Sequence, residues 1–331
     1  MKSQIRFSSY LGIDWSGAKA KHHQGLQIAA AMPGVSVPMR VAPPLTKYWS
    51  RQQVFDHLSA MADAATGDAP VLVGIDFAFA HPFVDQGEYF PGAENALNSI
   101  PASIPANIAA SIPASANALW ALVDEVNEGQ PDLYGGSMFA HDIWGAYYLS
   151  PPDYQADRYA SRRRITEIAA RNAGRSPSPT FKAVGADNVA TGSLAGMRLL
   201  HRLRQRLGRR LSVWPFDDII AGVTDMVLVE IFPSFYFYRL GMVPAKKAAA
   251  DPAFLGRALA QYDSKAVPAD FIANGNDADE ADAIIAAAAL RFFAKNSGFE
   301  LPQSLAMAAR YEGWIFGVPY QAIDQAMKPS F

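Results

Sequence analysis

Two hydrophobic periods divide this chain. "YLGID", residues 10 to 14, is a short apolar segment that runs straight into an acid, and "LQIAAAM", 26 to 32, is a second such segment. In "VSVPMRV", 35 to 41, Val35, Val37, Met39 and Val41 alternate with Ser36, Pro38 and Arg40, the period of two expected of a half-buried strand. Pro38 has no N–H to give to a ladder, which predicts that this third strand lies at a sheet edge. Val54, Leu58 and Met61 recur at helical spacing and predict a helix over 51–65. The continuous apolar run "VLVGIDFAFAHP", 71 to 82, suits a central strand covered on both faces, and it too meets an aspartate.

From about 83 to 190 the periodicity lapses. "SIPASIPANIAASIPAS" repeats Ser-Ile-Pro at short, uneven intervals, which predicts a loop or short helical turns rather than a solenoid. Helical spacing returns in "SLAGMRLLHRLRQRL", 193 to 207, with Leu200, Leu203 and Leu207 in step and Ser193 placed to cap the start. "RLSVWPF", 210 to 216, reads as a further short strand, "MVLVEIFP", 226 to 233, as a strand, and "DADEADAIIAAAALRFFA", 277 to 294, as a helix. The class is α/β: three strands, a helix, a strand, a long insertion, then helix, strand and helix.

Asp14 and Asp76 occupy matched contexts, "GIDWSG" and "GIDFAF". If their strands are parallel neighbours, both carboxylates reach the edge of the sheet where ligand crevices form in open α/β folds. Each acid alone has a plainer reading, a turn before Gly17 for Asp14 and a strand stop for Asp76. At the start of the last helix, Asp277 and Glu280 have the spacing of a helix cap, and first-turn acids complement the helix dipole. Asp282 escapes that explanation. At about 100° per residue, Asp279, Asp282, Ala283, Ala286, Leu290 and Phe293 share one stripe, so the two aspartates stand on a core-facing surface. Carboxylates there are costly unless a positive charge meets them.

Composition narrows what that charge can be. The chain has no cysteine, which removes disulfides, thiolate nucleophiles and Cys-based zinc sites. Clustered carboxylate oxygens favour Mg²⁺ or Mn²⁺, ions that most often serve phosphate esters. The net charge of −2 over 331 residues leaves any nucleic-acid partner to a local basic patch. "MKSQIRFSSY" lacks the apolar run of a signal peptide, and "AIIAAAAL" is too short to span a bilayer, so a cytoplasmic location with no membrane partner is expected.

Taken in order, "GIDWSG", "GIDFAFAHP", "VEIFPSF" and "DADEADAIIAAAAL" resemble a domain-of-unknown-function family described as predicted nucleases with an RNase H-like fold. The last motif is also similar to the acidic C-terminal helix of Holliday-junction resolvases of that superfamily. The resemblance implies a mixed sheet of order 3-2-1-4-5 with strand 2 antiparallel, flanked by helices. It implies a core split into residues 8–80 and 190–296, an irregular or helical insertion over 81–189 and a C-terminal extension over 297–331. It further implies Asp14, Asp76 and Asp282 as metal ligands with Asp279 close by, and Glu230, ending its strand as Asp14 does, as an outlying catalytic candidate. Many nucleases of this superfamily carry Glu on the fourth strand, where this chain has Asp76.

Basic residues supply candidates for phosphate contact. Arg198, Arg202, Arg204, Arg206, Arg209 and Arg210 crowd 193–210, and Arg202, Arg206 and Arg209 are the expected nucleic-acid contacts, against the alternative of a solvated face. Arg162 to Arg164, with Arg163 at the centre, can form a substrate clamp, and Lys182 of "FKAVGADN" an anion contact. His22 and His23 are expected in a hairpin loop, His81 near the surface, and Trp15 with the aromatics of "SFYFYRL" in the core. No P-loop, dinucleotide-binding or nucleophile-elbow motif occurs. The leading expectation is therefore a divalent-metal nuclease acting on DNA or RNA. Its rivals are a phosphotransferase of the sugar-kinase and actin type and a non-catalytic scaffold with vestigial acids.

Overall fold

The computed structural model describes residues 5–90, 111–151, 156–185, 188–241, 251–275 and 279–324. The chain opens with β1 (Ser9–Asp14), β2 (Gln27–Ala31) and β3 (Met39–Arg40), then α1 (Arg51–Ala64) and β4 (Val71–Ile75). Next come α2 (Ala116–Val126), α3 (Ile165–Asn172), α4 (Ala190–Leu207), β5 (Leu211–Val213) and β6 (Met226–Glu230). The helices α5 (Pro233–Tyr238), α6 (Pro252–Ala260), α7 (Asp279–Lys295), α8 (Gln303–Glu312) and α9 (Gln321–Asp324) complete the order.

The strands form one six-stranded mixed sheet in the order β3-β2-β1-β4-β6-β5. β2 runs antiparallel to both neighbours, and the remaining pairs are parallel. β5 is an added edge strand outside β6, so the expected five-strand order is extended by one.

Strand alternation assigns each face its cover. Leu11, Ile13, Val73 and Ile75 meet Val54 and Leu58 of α1, Leu199 and Leu203 of α4 and Trp120 of α2. Tyr10, Leu72, Val227 and Val229 meet α5, α6 and α7 on the other face. The segment between β4 and α4 is thus part of both cores, through Leu119, Trp120 and Trp144 on one face and Ala169 and Ala170 of α3 on the other.

Two expectations need correction here. The half-buried strand over 35–41 contracts to two paired residues, with Val35 54% and Met39 66% exposed, because β3 is the terminal strand of the sheet and pairs on one side alone among the described strands. Pro38 precedes that edge strand, as its missing donor requires. α4 starts at Ala190, so Ser193 is not its cap; Asn188 Oδ1 accepts the Thr191 N–H at 3.2 Å instead. The Ser-Ile-Pro run lies outside the described residues up to 110, as does Asp277. Among the described residues no helix is long and apolar enough to cross a membrane.

Candidate active site

The parallel register of β1 and β4 pairs Ile13 with Ile75, so Asp14 and Asp76 leave neighbouring strands at the same edge. The Asp76 N–H continues that ladder, donating to the Ile13 carbonyl at 3.0 Å. α7 reaches this edge because its partners are small. A β-carbon placed on Gly12 would fall 2.6 Å from Ala287 N and 2.8 Å from Ala286 Cβ, so the helix backbone rests almost directly on β1. The same approach brings the first turn of α7, with Asp279 and Asp282, over the end of β1.

Electrostatics show the result. Asp14 is held well above the usual carboxylate range, first by burial and then by Asp282, Asp76 and Asp279, while an N–H from Trp15 acts the other way. Asp76 is raised as well, by burial, by Asp282 and by Glu230. Both side chains keep partial solvent exposure, so the shifts belong to a cleft rather than to a sealed core. The structure therefore places Asp76, Asp282 and Asp279 within electrostatic reach of Asp14. Like charges sharing a site raise one another's pKa, and a divalent cation relieves that repulsion. The donor set, oxygen only, suits Mg²⁺ or Mn²⁺. Among the described residues no three His, Asp or Glu side chains stand in ready-made cation geometry, so ligation would require the aspartates to turn toward a common ion.

Glu280 serves the helix start. Its side chain accepts from the Asn274 backbone N–H at 2.6 Å and from Asn274 Nδ2 at 2.7 Å, tying the preceding loop to α7.

Glu230 has a different environment. Met226 and Leu228 face α1 and α4, so by alternation Glu230 points away from α7. Arg164 donates to both of its oxygens, at 2.7 and 2.5 Å, and Phe79 N–H to one of them at 3.0 Å. Arg164 also donates to Glu167 at 2.9 Å, so one buried guanidinium serves two buried carboxylates. The pair of acids holds Arg164 firmly protonated, and burial pushes Glu167 up to about 7. Glu230 still lies near enough to Asp76 to raise it. Next to Asp76, Ser193 Oγ accepts the Ala78 N–H at 3.1 Å, which fixes the chain just after the acid.

A cleft of about 390 Å³ opens between Asp76 and Glu230 on the sheet, Arg164, the segment Arg175–Ser178 and the start of α4. No local pattern marks this wall, and of the arginine run Arg164 lines the cleft rather than the expected Arg163. Arg163 turns to the Pro177 carbonyl, Arg162 to Asp85 and Arg164 to Glu230, so the three arginines take separate partners instead of forming one clamp. Consecutive residues entering α3 point in different directions, which a run of identical letters conceals.

The arginine helix lies elsewhere. Arg202 pairs with Asp124 at 3.2 Å and Arg206 with Asp63 at 2.7 Å, while Arg209 is exposed in the turn after α4. From Gly192, which lines the cleft, to Arg206 is about 21 Å at 1.5 Å per residue. Lys182 lies in the loop before α4, where its carbonyl accepts the Val189 and Ala190 N–H groups at 3.2 and 3.1 Å.

Two of the histidines are buried in the fold. His81 is fully buried, not at the surface: its ring nitrogens meet Thr180 Oγ1 at 3.2 Å and Tyr148 OH at 2.9 Å, and burial pushes its pKa down to about 3. His23, also buried, pairs with Asp132 Oδ2 at 2.8 Å. Trp15 and the aromatics Phe235, Tyr236 and Phe237 are core residues, as expected.

No family model, no curated protein and no solved structure matches this chain.

Proposed function

We propose that this protein is a divalent-metal-dependent phosphodiesterase acting on nucleic acid, built on an RNase H-like core. The observation that carries the reading is the meeting of Asp14, Asp76, Asp282 and Asp279 at one sheet edge, with Asp14 and Asp76 both raised by burial and then by their acidic neighbours. The strand order through β3-β2-β1-β4-β6, the antiparallel β2 and the acidic helix that crosses β1 agree with the fold the sequence motifs resemble.

In this reading Asp14, Asp76 and Asp282 hold Mg²⁺ or Mn²⁺, with Asp279 beside them. The ion supplies Lewis acidity at a phosphoryl oxygen and makes a nucleophile available from water at neutral pH. The chain supplies placement. The Trp15 N–H orients Asp14, the Asp76 N–H stays in the ladder, and Ser193 steadies the residues that follow Asp76. Arg164 neutralises Glu230, so the charge beside Asp76 is lower than the number of acids suggests.

The test is cleavage of single- and double-stranded DNA and RNA oligomers with Mg²⁺ or Mn²⁺, with and without chelator. Metal-dependent cleavage that disappears in Asp14→Asn and in Asp282→Asn, with the fold retained, is expected. Full activity in either variant would sink the assignment.

A further inference from the structure

We infer that the cleft beside Asp76 takes one nucleotide unit at the end of a chain, its phosphate toward the carboxylates and its base against Phe232. This rests on the phosphodiesterase reading and adds the form of the substrate. Four features of the cleft converge on it.

The first is size. A cleft of about 390 Å³ lies at the small end of the pockets that enclose a single organic ligand, roughly 300–1,000 Å³. The second is the arrangement of chemistry around it. Asp76 and Glu230 form the sheet edge, and across from them Arg175 and Ser176 offer a guanidinium and a hydroxyl of the kind that meet phosphate and sugar oxygens. Arg175 and Ser176 are exposed, and Arg175 is steadied by Ser234 Oγ at 2.8 Å.

The third feature is an aromatic face. Phe235 and Phe237, in the helix that follows, are fully buried, and Trp15 and Phe77 are nearly so. Phe232 lines the same cleft but keeps part of its surface open, which gives a base a ring to stack on.

The fourth is closure at one end. The loop after Asp14 and the start of α4 touch backbone to backbone: a β-carbon on Gly17 would fall 2.6 Å from Gly192 Cα. Trp15 Nε1 donates to the Gly192 carbonyl at 3.1 Å and locks that contact. A strand cannot run on between these two segments, so the cleft admits an end and stops it.

Two measurements test this. Calorimetry with adenosine 5′-monophosphate and Mn²⁺ compares the wild type with Phe232→Ala and with Phe232→Leu, which keeps apolar bulk should the alanine variant fail to fold. A labelled linear single-stranded oligonucleotide is then digested beside the same sequence closed into a circle. The mononucleotide should bind about tenfold more weakly to either variant, the loss of one stacked base, at unchanged Mn²⁺ affinity. The linear strand should be shortened from an end, and the circle should persist at least about a hundredfold longer. Equal rates on circle and linear strand, or mononucleotide binding indifferent to Phe232, overturn the inference. Phe232-dependent mononucleotide binding without cleavage of either oligonucleotide supports the pocket and overturns the phosphodiesterase reading instead.

Discussion

Gly12 of β1 lies beneath Ala287 of α7 so closely that a single β-carbon there would come within 2.6 Å of the helix backbone nitrogen. This contact sets the height of α7 over the sheet, and with it the position of Asp282 relative to Asp14. Gly12→Val should therefore do more than overpack a core. We expect a loss of about 1–3 kcal/mol in denaturant unfolding, together with weaker Mn²⁺ binding, because lifting α7 separates the carboxylates. A variant as stable as wild type, with unchanged Mn²⁺ affinity, would show that the contact does not set the site.

The raised pKa values of Asp14 and Asp76 give a pH dependence of definite sign. A carboxyl whose folded pKa lies above its unfolded value, about 3.9, binds its proton more tightly when folded. Its contribution to stability is complete below the unfolded pKa and is lost as pH rises through the folded one. In chelator, Asp14→Asn should match the wild type near pH 4 and exceed it at neutral pH, where Asp14 ionises among its neighbours. Stabilisation by Mn²⁺ should grow over the same rise in pH, since the ion needs ionised ligands. His81 works in the opposite sense. Its depressed pKa, about 3, makes its contribution complete above about 6.5 and lost as pH falls. Thermal scans of the two proteins side by side cancel that shared background. If Asp14→Asn is clearly the less stable protein in chelator at neutral pH, Asp14 is a turn residue.

Arg164 is the sole guanidinium bonded to both Glu230 and Glu167 among the described residues. Arg164→Gln leaves both acids buried without that partner and should cost about 3–5 kcal/mol. Glu230→Gln leaves the Arg164–Glu167 pair in place, so its loss in urea unfolding should be smaller. Cleavage should also fall less in Glu230→Gln than in Asp14→Asn, since Glu230 faces away from α7. An order reversed in either assay would return Glu230 to the metal cluster.

The basic helix can be tested by salt. Arg202 and Arg206 are engaged with Asp124 and Asp63, and Arg209 has no acidic partner among the described residues. Replacing all three with Gln should flatten the dependence of log affinity for a single-stranded oligomer on log salt by about 0.7, the slope of one phosphate contact. A change near three times that size would mean that the aspartates release their arginines to the polyanion. No change would mark the whole face as solvated.

Much of this arrangement is legible in local pattern. Apolar runs that stop at Asp14 and Asp76, the proline before β3, and an alanine-rich stripe leading away from Asp282 each reflect a rule that acts over a few residues: alternation, a missing donor, or helical periodicity. Those rules carry the candidate acids to one edge because neighbouring parallel strands end together. Glu230 was legible as a strand end but not as the partner of Arg164, 66 residues earlier in the chain. Nor does any local pattern distinguish Arg164 from Arg163, bury His81 between Thr180 and Tyr148, or assign Asp63 to Arg206. Only the tertiary structure decides these, since a charged side chain takes whichever partner the folded path of distant segments brings within about 3 Å, and a sequence records the order of those segments without their distances.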